Sequence, residues 1–168
     1  MTLSIRRAGP FAVAAFLVFG ASLRAQSVSD AGKPRLHVLP ALGLHVGTPQ
    51  KASVALGVVL GEDWQENGHD HSRSVALFAE PGLSAGRVSL AYVRHGHGGF
   101  GSGFGVAATV LRTWNDPWTV KSNMSFVGLE ALIWPVVFVG PRIGVFHSVS
   151  GSPTPNRWFV GVDFGFGL

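Results

Sequence analysis

The last stretch of the chain, residues 158–168, alternates between two kinds of side chain with a period of two. Large apolar residues occupy the even positions: Trp158, Val160, Val162, Phe164, Phe166 and Leu168. The odd positions between them are mostly glycine, with Phe159 and Asp163 as the exceptions. Because successive side chains of a β-strand point to opposite faces, this pattern predicts a strand with one bulky face and one small face.

The same division into a bulky face and a small face recurs in seven segments upstream. They are residues 36–46, 52–60, 75–84, 87–94, 103–112, 124–134 and 141–149. Stretches rich in turn-forming residues separate these segments. The sequence therefore predicts an all-β fold, an antiparallel up-and-down β-barrel of about eight strands.

Two kinds of eight-stranded barrel fit this pattern. A soluble exported barrel that binds a small apolar ligand carries its large apolar residues inside, whereas a membrane barrel carries them outside. Only 13% of the residues are charged and 23 are glycine, so the small face would make a poorly soluble exterior. The narrow lumen of eight strands suits small side chains. Composition therefore favours the membrane barrel and leaves the soluble barrel as the alternative.

The N-terminus has the features of an export signal. Arg6 and Arg7 precede an apolar run over residues 11–23, and the small residue Ala25 follows. The run is shorter than a membrane-spanning helix, although an uncleaved anchor is the alternative. The predicted organisation is a cleavable signal peptide over residues 1–25, a polar leader over 26–34 and an outer-membrane β-barrel domain over 35–168.

Charge and cysteine content exclude several classes of function. Three of the 13 basic residues, Arg6, Arg7 and Arg24, lie in the predicted signal, which leaves ten against nine acidic residues. A nearly neutral mature chain lacks the basic patch that a nucleic-acid-binding protein needs. The chain has no cysteine, so it has no disulfide partner and no thiol nucleophile. No motif in the sequence indicates a cofactor.

The alternating strands and the ending Phe164-Gly165-Phe166-Gly167-Leu168 resemble the small OmpA/OmpX-type barrels of the bacterial outer membrane. The resemblance implies an outer-membrane location, with the periplasm as the alternative, and contacts with outer-membrane lipid and the barrel-assembly machinery. It also implies that Phe164, Phe166 and Leu168 form the membrane-insertion signal, with Leu168 in place of the usual terminal aromatic residue. The long predicted connection 62–72 and the tight connection 85–86 depart from the loop lengths of that family.

Four charged residues share the small-residue face. Glu80, Glu130, Arg142 and Asp163 would all point into the lumen, where buried charges must be paired. Arg87 is a further cation that could balance the three carboxylates. We expect a structural salt-bridge network that plugs the lumen; a proton or ion path is the alternative.

Histidine and tryptophan residues mark other candidate positions. His69 and His71, and likewise His95 and His97, have the His-x-His spacing of a metal site, although loop histidines are more often simply solvated. His147 and Ser148 lie near the arrangement of a lipid A-modifying enzyme, but adjacent residues of a strand point to opposite faces. Tryptophans at predicted strand ends suggest an interfacial aromatic girdle: Trp64, Trp114, Trp134 and Trp158.

These features predict an outer-membrane β-barrel with a narrow, plugged lumen and a structural or surface-interaction role. The alternatives are the soluble ligand-binding barrel and the lipid A-modifying enzyme.

Overall fold

The computed structural model describes residues 35–66, 69–95, 102–134, 139–150 and 157–167. The predicted signal peptide and the polar leader lie outside these ranges. Among the described residues, no helix has the length and hydrophobicity to cross a membrane.

Eight antiparallel strands form a closed barrel, in which each strand pairs with its neighbours in the sequence and β8 pairs with β1. The strands are β1 (Arg35–Gly47), β2 (Lys51–Glu66), β3 (His69–Pro81), β4 (Ala85–His95), β5 (Gly103–Thr113), β6 (Ser125–Trp134), β7 (Val139–Ser150) and β8 (Trp158–Gly167). The predicted all-β class, strand number and up-and-down order are confirmed.

The register fixes the tilt of the strands. A path that starts at His37 and follows paired residues across all eight strands returns to β1 at Gly47, ten residues further along. With about 3.3 Å per residue and about 4.8 Å between strands, this offset gives a tilt of about 41°. Each residue then advances about 2.5 Å along the barrel axis.

The two faces of every strand differ in exposure as the alternation predicts. Leu56 and Val162, on the outer face, are 49% and 48% exposed, whereas Ala76 and Leu111, on the inner face, are fully buried. Aliphatic and aromatic side chains cover the outside on all eight strands, and alanine, glycine, serine and charged residues dominate the inside. The barrel therefore has an apolar belt around it and a filled interior.

The two ends of the barrel differ in their connections. β1 begins and β8 ends at what we call the terminal end, and the opposite end is the distal end. The prediction of a long connection over residues 62–72 is wrong, because β2 and β3 continue through it and pair from Glu62↔Arg73 to Glu66↔His69. The predicted tight connection at residues 85–86 is also wrong, because both residues lie in the ladders of β4.

Two neighbouring alanines of β5 test which face is crowded. Ala107 is 3% exposed and lies between Ala91 and Glu130 in the register, while Ala108 points outward. We expect Ala107→Leu to lower the free energy of unfolding by about 1–3 kcal/mol through overpacking. Ala108→Leu should change it by less than about 0.5 kcal/mol. Urea unfolding followed by circular dichroism measures both, and equal effects would contradict a filled interior.

Candidate functional site: the filled lumen and its ionic layer

Five buried charged residues meet in the middle of the lumen, and we call them the ionic layer: Glu80, Arg87, Glu130, Arg142 and Asp163. Glu80 lies on β3 and Arg87 on β4. Glu130 lies on β6, Arg142 on β7 and Asp163 on β8. The structure thus brings together all four residues of the predicted network with Arg87.

Arg87 contacts all three carboxylates of the ionic layer. Its Nε and Nη2 donate to the two carboxylate oxygens of Glu80 at 3.0 and 2.8 Å. Nη1 donates to Oε1 of Glu130 at 2.6 Å, and Nη2 also donates to Oδ2 of Asp163 at 2.8 Å. A planar guanidinium with five donors suits this fork-like geometry, so Arg87 is the centre of the layer.

Arg142 is the second cation. Its Nε donates to Oδ1 of Asp163 at 2.9 Å, and its Nη2 donates to Oε1 of Glu80 at 2.9 Å. Its Nε also lies 3.7 Å from Oε1 of Glu130. The layer therefore contains three carboxylates and two guanidinium groups.

Polar side chains that the sequence analysis did not single out complete the layer. The Ser53 hydroxyl donates to Oε1 of Glu80 at 2.6 Å, and the Thr109 hydroxyl donates to Glu130. His45 is adjacent as well, with Nδ1 3.2 Å from Oε1 of Glu80. All three lie on the small face of their strands. Their position in the alternating pattern, on the same face as the charged residues, is the sequence signal that could have identified them.

Apolar side chains close the lumen on the terminal side of the ionic layer. We call this cluster the terminal plug: Ala41, Val59, Ala76, Phe78, Ala91, Val93, Ala107 and Leu132. A cavity of about 20 Å³ lies beside it and is lined in part by His45, Phe78 and Arg142. This volume has room for about one water molecule.

A second apolar cluster closes the distal side. This distal plug consists of Ala85, Leu111, Met124, Phe126 and Phe146, with Val120 and Phe159 packed against it. The Phe146 ring stacks on Phe159 with centroids 4.9 Å apart. A Cβ on inward-facing Gly128 or Gly144 would overlap the Phe146 ring, so glycine at these positions makes room for it. Because both plugs are apolar, the ion pairs between them lie in surroundings of lower dielectric constant than bulk water.

Hydrogen bonds tie the distal connections together above the distal plug. The Ser84 hydroxyl donates to the carbonyl of Pro49 at 2.8 Å, and the Trp114 amide donates to the carbonyl of Ser84 at 2.9 Å. The buried Gln50 side chain donates to the backbone carbonyl of Glu80 at 3.0 Å. The first three distal connections thereby form a compact cover over that mouth of the barrel.

The predicted histidine metal site is divided between two faces. His71 lies on the outer face of β3, stacked on Trp64 with ring centroids 5.2 Å apart, whereas His95 follows the inward positions of β4. In this arrangement His71 and His95 lie on opposite faces, and the metal site of each His-x-His pair stays a prediction. The side chain of His69 and all of His97 lie outside the described residues. Among the described residues, no group of three or more potential ligands could hold a metal ion.

Several of the other predicted residues lie on the outer face. Phe164 and Phe166 are 57% and 54% exposed, and Leu168 lies outside the described residues. Trp64 and Trp158 lie near opposite ends of the barrel, consistent with the predicted girdle, while the side chain of Trp134 is not described. The His147 ring packs against Trp158, 4.6 Å between centroids, on the outer face.

Comparisons with models of known families, with curated proteins and with solved structures found no match.

The charge count of the ionic layer predicts unequal effects of two substitutions. Arg87→Gln removes a cation and leaves three carboxylates facing one arginine, which should lower the free energy of unfolding by about 3–5 kcal/mol. Glu130→Gln removes one of three anions and leaves the remaining charges balanced, so its effect should be at least about 1 kcal/mol smaller. Urea unfolding in the same detergent measures the difference. Equal losses would show that charge balance does not govern the layer.

Proposed function

We propose that this chain is an outer-membrane β-barrel protein of the OmpA/OmpX type with a closed lumen and a structural or surface-interaction role. The observation that carries the proposal is the continuous apolar belt around a barrel whose interior holds the charges. In water such a belt would promote aggregation, whereas in hydrocarbon it is the favoured exterior. A closed barrel also pairs its backbone groups without an exposed sheet edge.

The height of the belt supports a bilayer as its surroundings. On β4 the outward apolar positions end at Arg94, and on β5 they end at Arg112. Eight residue steps and one strand step separate these two arginines, which is about 23 Å along the axis at a tilt of about 41°. The outward apolar band of outer-membrane barrels is about 25 Å tall.

The orientation follows from the proposal. By resemblance to outer-membrane barrels, the terminal end faces the periplasm and the distal end faces outward. The surface available to partners outside the cell is then the distal cover, where Leu83 and Trp118 are 66% and 47% exposed. The soluble ligand-binding alternative needs an open apolar cavity, whereas the described lumen is filled by the ionic layer and the two apolar plugs. The outward His147 gives the lipid-modifying alternative no hydroxyl partner from Ser148, which lies on the other face.

Single cysteines test the direction of the outer face, because the chain has none of its own. In proteoliposomes, Leu56→Cys and Val162→Cys should resist a water-soluble maleimide, since both lie in the belt. Leu83→Cys, in a distal connection, should react and serves as the matched control. Rapid labelling of Leu56→Cys in folded protein would contradict the proposal, as would recovery of the chain in the soluble periplasmic fraction. Folded protein should also show heat-modifiable mobility in gels.

The filled lumen predicts the absence of a pore. Protein inserted into planar bilayers should give no stepwise current, because two apolar plugs flank the ionic layer. Insertion is verified in parallel by protease protection of the same preparation. Reproducible current steps in wild-type protein would support the ion-path alternative and contradict the structural role of the charges.

A further inference from the structure

Two arginines lie side by side on the outer face, at the terminal edge of the apolar belt. Arg73 of β3 and Arg94 of β4 are directly opposite each other in the register, and both side chains are exposed. Like charges directly opposite each other across a strand pair destabilise the sheet. An anion between the two guanidinium groups would turn this repulsion into charge-assisted hydrogen bonding.

Neighbouring residues of β2 hold one of the two arginines in place. Glu62, the register partner of Arg73, accepts a hydrogen bond from its Nε. The guanidinium carbon of Arg73 lies 5.6 Å from the centroid of the Trp64 ring, a cation–π contact. No hydrogen bond or ion pair joins Arg94 to the part of the chain that the structure describes. One guanidinium is thus preoriented, and the other has its donors available.

The charge of the cluster matches one phosphate diester. Arg73, Arg94 and Glu62 together carry one net positive charge, and a phosphodiester carries one negative charge. Guanidinium groups recognise phosphate oxygens through paired N–H donors. The three side chains therefore suit one phosphate group better than a carboxylate-rich or neutral ligand.

Apolar side chains continue from the arginine pair into the belt. Phe104 is the register partner of Arg94 on β5. Tyr92 and Val75 pair with each other two residues further along their strands, towards the middle of the belt. These three side chains are 59%, 45% and 44% exposed. A ligand with its phosphate at the arginines would have its hydrocarbon chains against these residues.

We propose that Arg73 and Arg94 form a binding site for the phosphate of an anionic glycerophospholipid, in the leaflet at the terminal end of the barrel. The site rests on the proposed membrane location, and it adds a specific lipid position to the general contact of the belt. Glu62 and Trp64 are positioning residues, because they act through Arg73.

Native mass spectrometry of the full chain in nonionic detergent tests the site with phosphatidylglycerol and phosphatidylcholine of identical acyl chains. Wild-type protein should bind one phosphatidylglycerol at about fivefold lower lipid concentration than phosphatidylcholine. Arg94→Gln should abolish this preference. Glu62→Gln should strengthen it, because the cluster then carries two net positive charges while the amide oxygen still accepts the hydrogen bond from Arg73. Arg112→Gln is the matched control: Arg112 is exposed at the distal edge and donates to the Ser125 hydroxyl at 2.8 Å.

Each outcome of the experiment has a distinct meaning. An unchanged preference in Arg94→Gln would overturn the site, and so would an equal loss in Arg112→Gln, which would indicate nonspecific charge attraction. Displacement of the lipid by equimolar glycerol phosphate would show recognition of free phosphate and would contradict the lipid assignment. Failure of wild-type protein to insert into vesicles would instead contradict the proposed function. Insertion without a lipid preference would overturn the site alone.

Discussion

The narrow interior of an eight-stranded barrel is the constraint on which the other features depend. Eight strands with a ten-residue offset enclose little volume. Most inward side chains must therefore be small, and those that are charged must pair with one another. Gly128 and Gly144 show the limit, because the Phe146 ring occupies the volume that their side chains would need. Most bulky residues then face outward, as they do on every strand. The apolar belt is thus a consequence of closing the ring.

The ionic layer connects parts of the ring that the backbone joins weakly. Among the described residues, the β1–β8 ladder has five residue pairs, fewer than the ladder between any other two neighbouring strands. Asp163 of β8 and Arg142 of β7 contact Arg87 and Glu80, which lie across the lumen on β4 and β3. These contacts bind the closing strands to the opposite wall independently of the ladder. Since each charge has its partners on different strands, a one-residue slip would leave a buried charge unpaired.

The odd or even position of a residue in its strand predicted whether its side chain points into the lumen. Which residues of different strands lie side by side depends on the strand register, which the alternation does not reveal. Glu80, Glu130 and Asp163 could be assigned to one face because each lies in a clearly alternating segment. The apolar alternation ends within residues 62–72 because β2 and β3 extend beyond the belt, so the sequence predicts a loop where the structure has paired strands. Whether His71 and His95 share a face depends on the β3–β4 register, which pairs His95 with Ser72 and so puts it on the opposite face from His71. No pattern within one strand contains that information.

The extension of β2 and β3 beyond the apolar belt explains how Glu62 and Arg73 can lie at the edge of the belt. If the hairpin ended where its apolar residues end, Arg73 would lie in a turn without a fixed partner. Continued pairing instead places Glu62 beside Arg73 and presents the Trp64 ring to its guanidinium group. Each of these residues has a polar group at the edge of the belt and an apolar portion that can lie against the belt. The length of β2 and β3, which made this segment look like a loop in the sequence, is therefore what holds Arg73 in place at the edge of the belt.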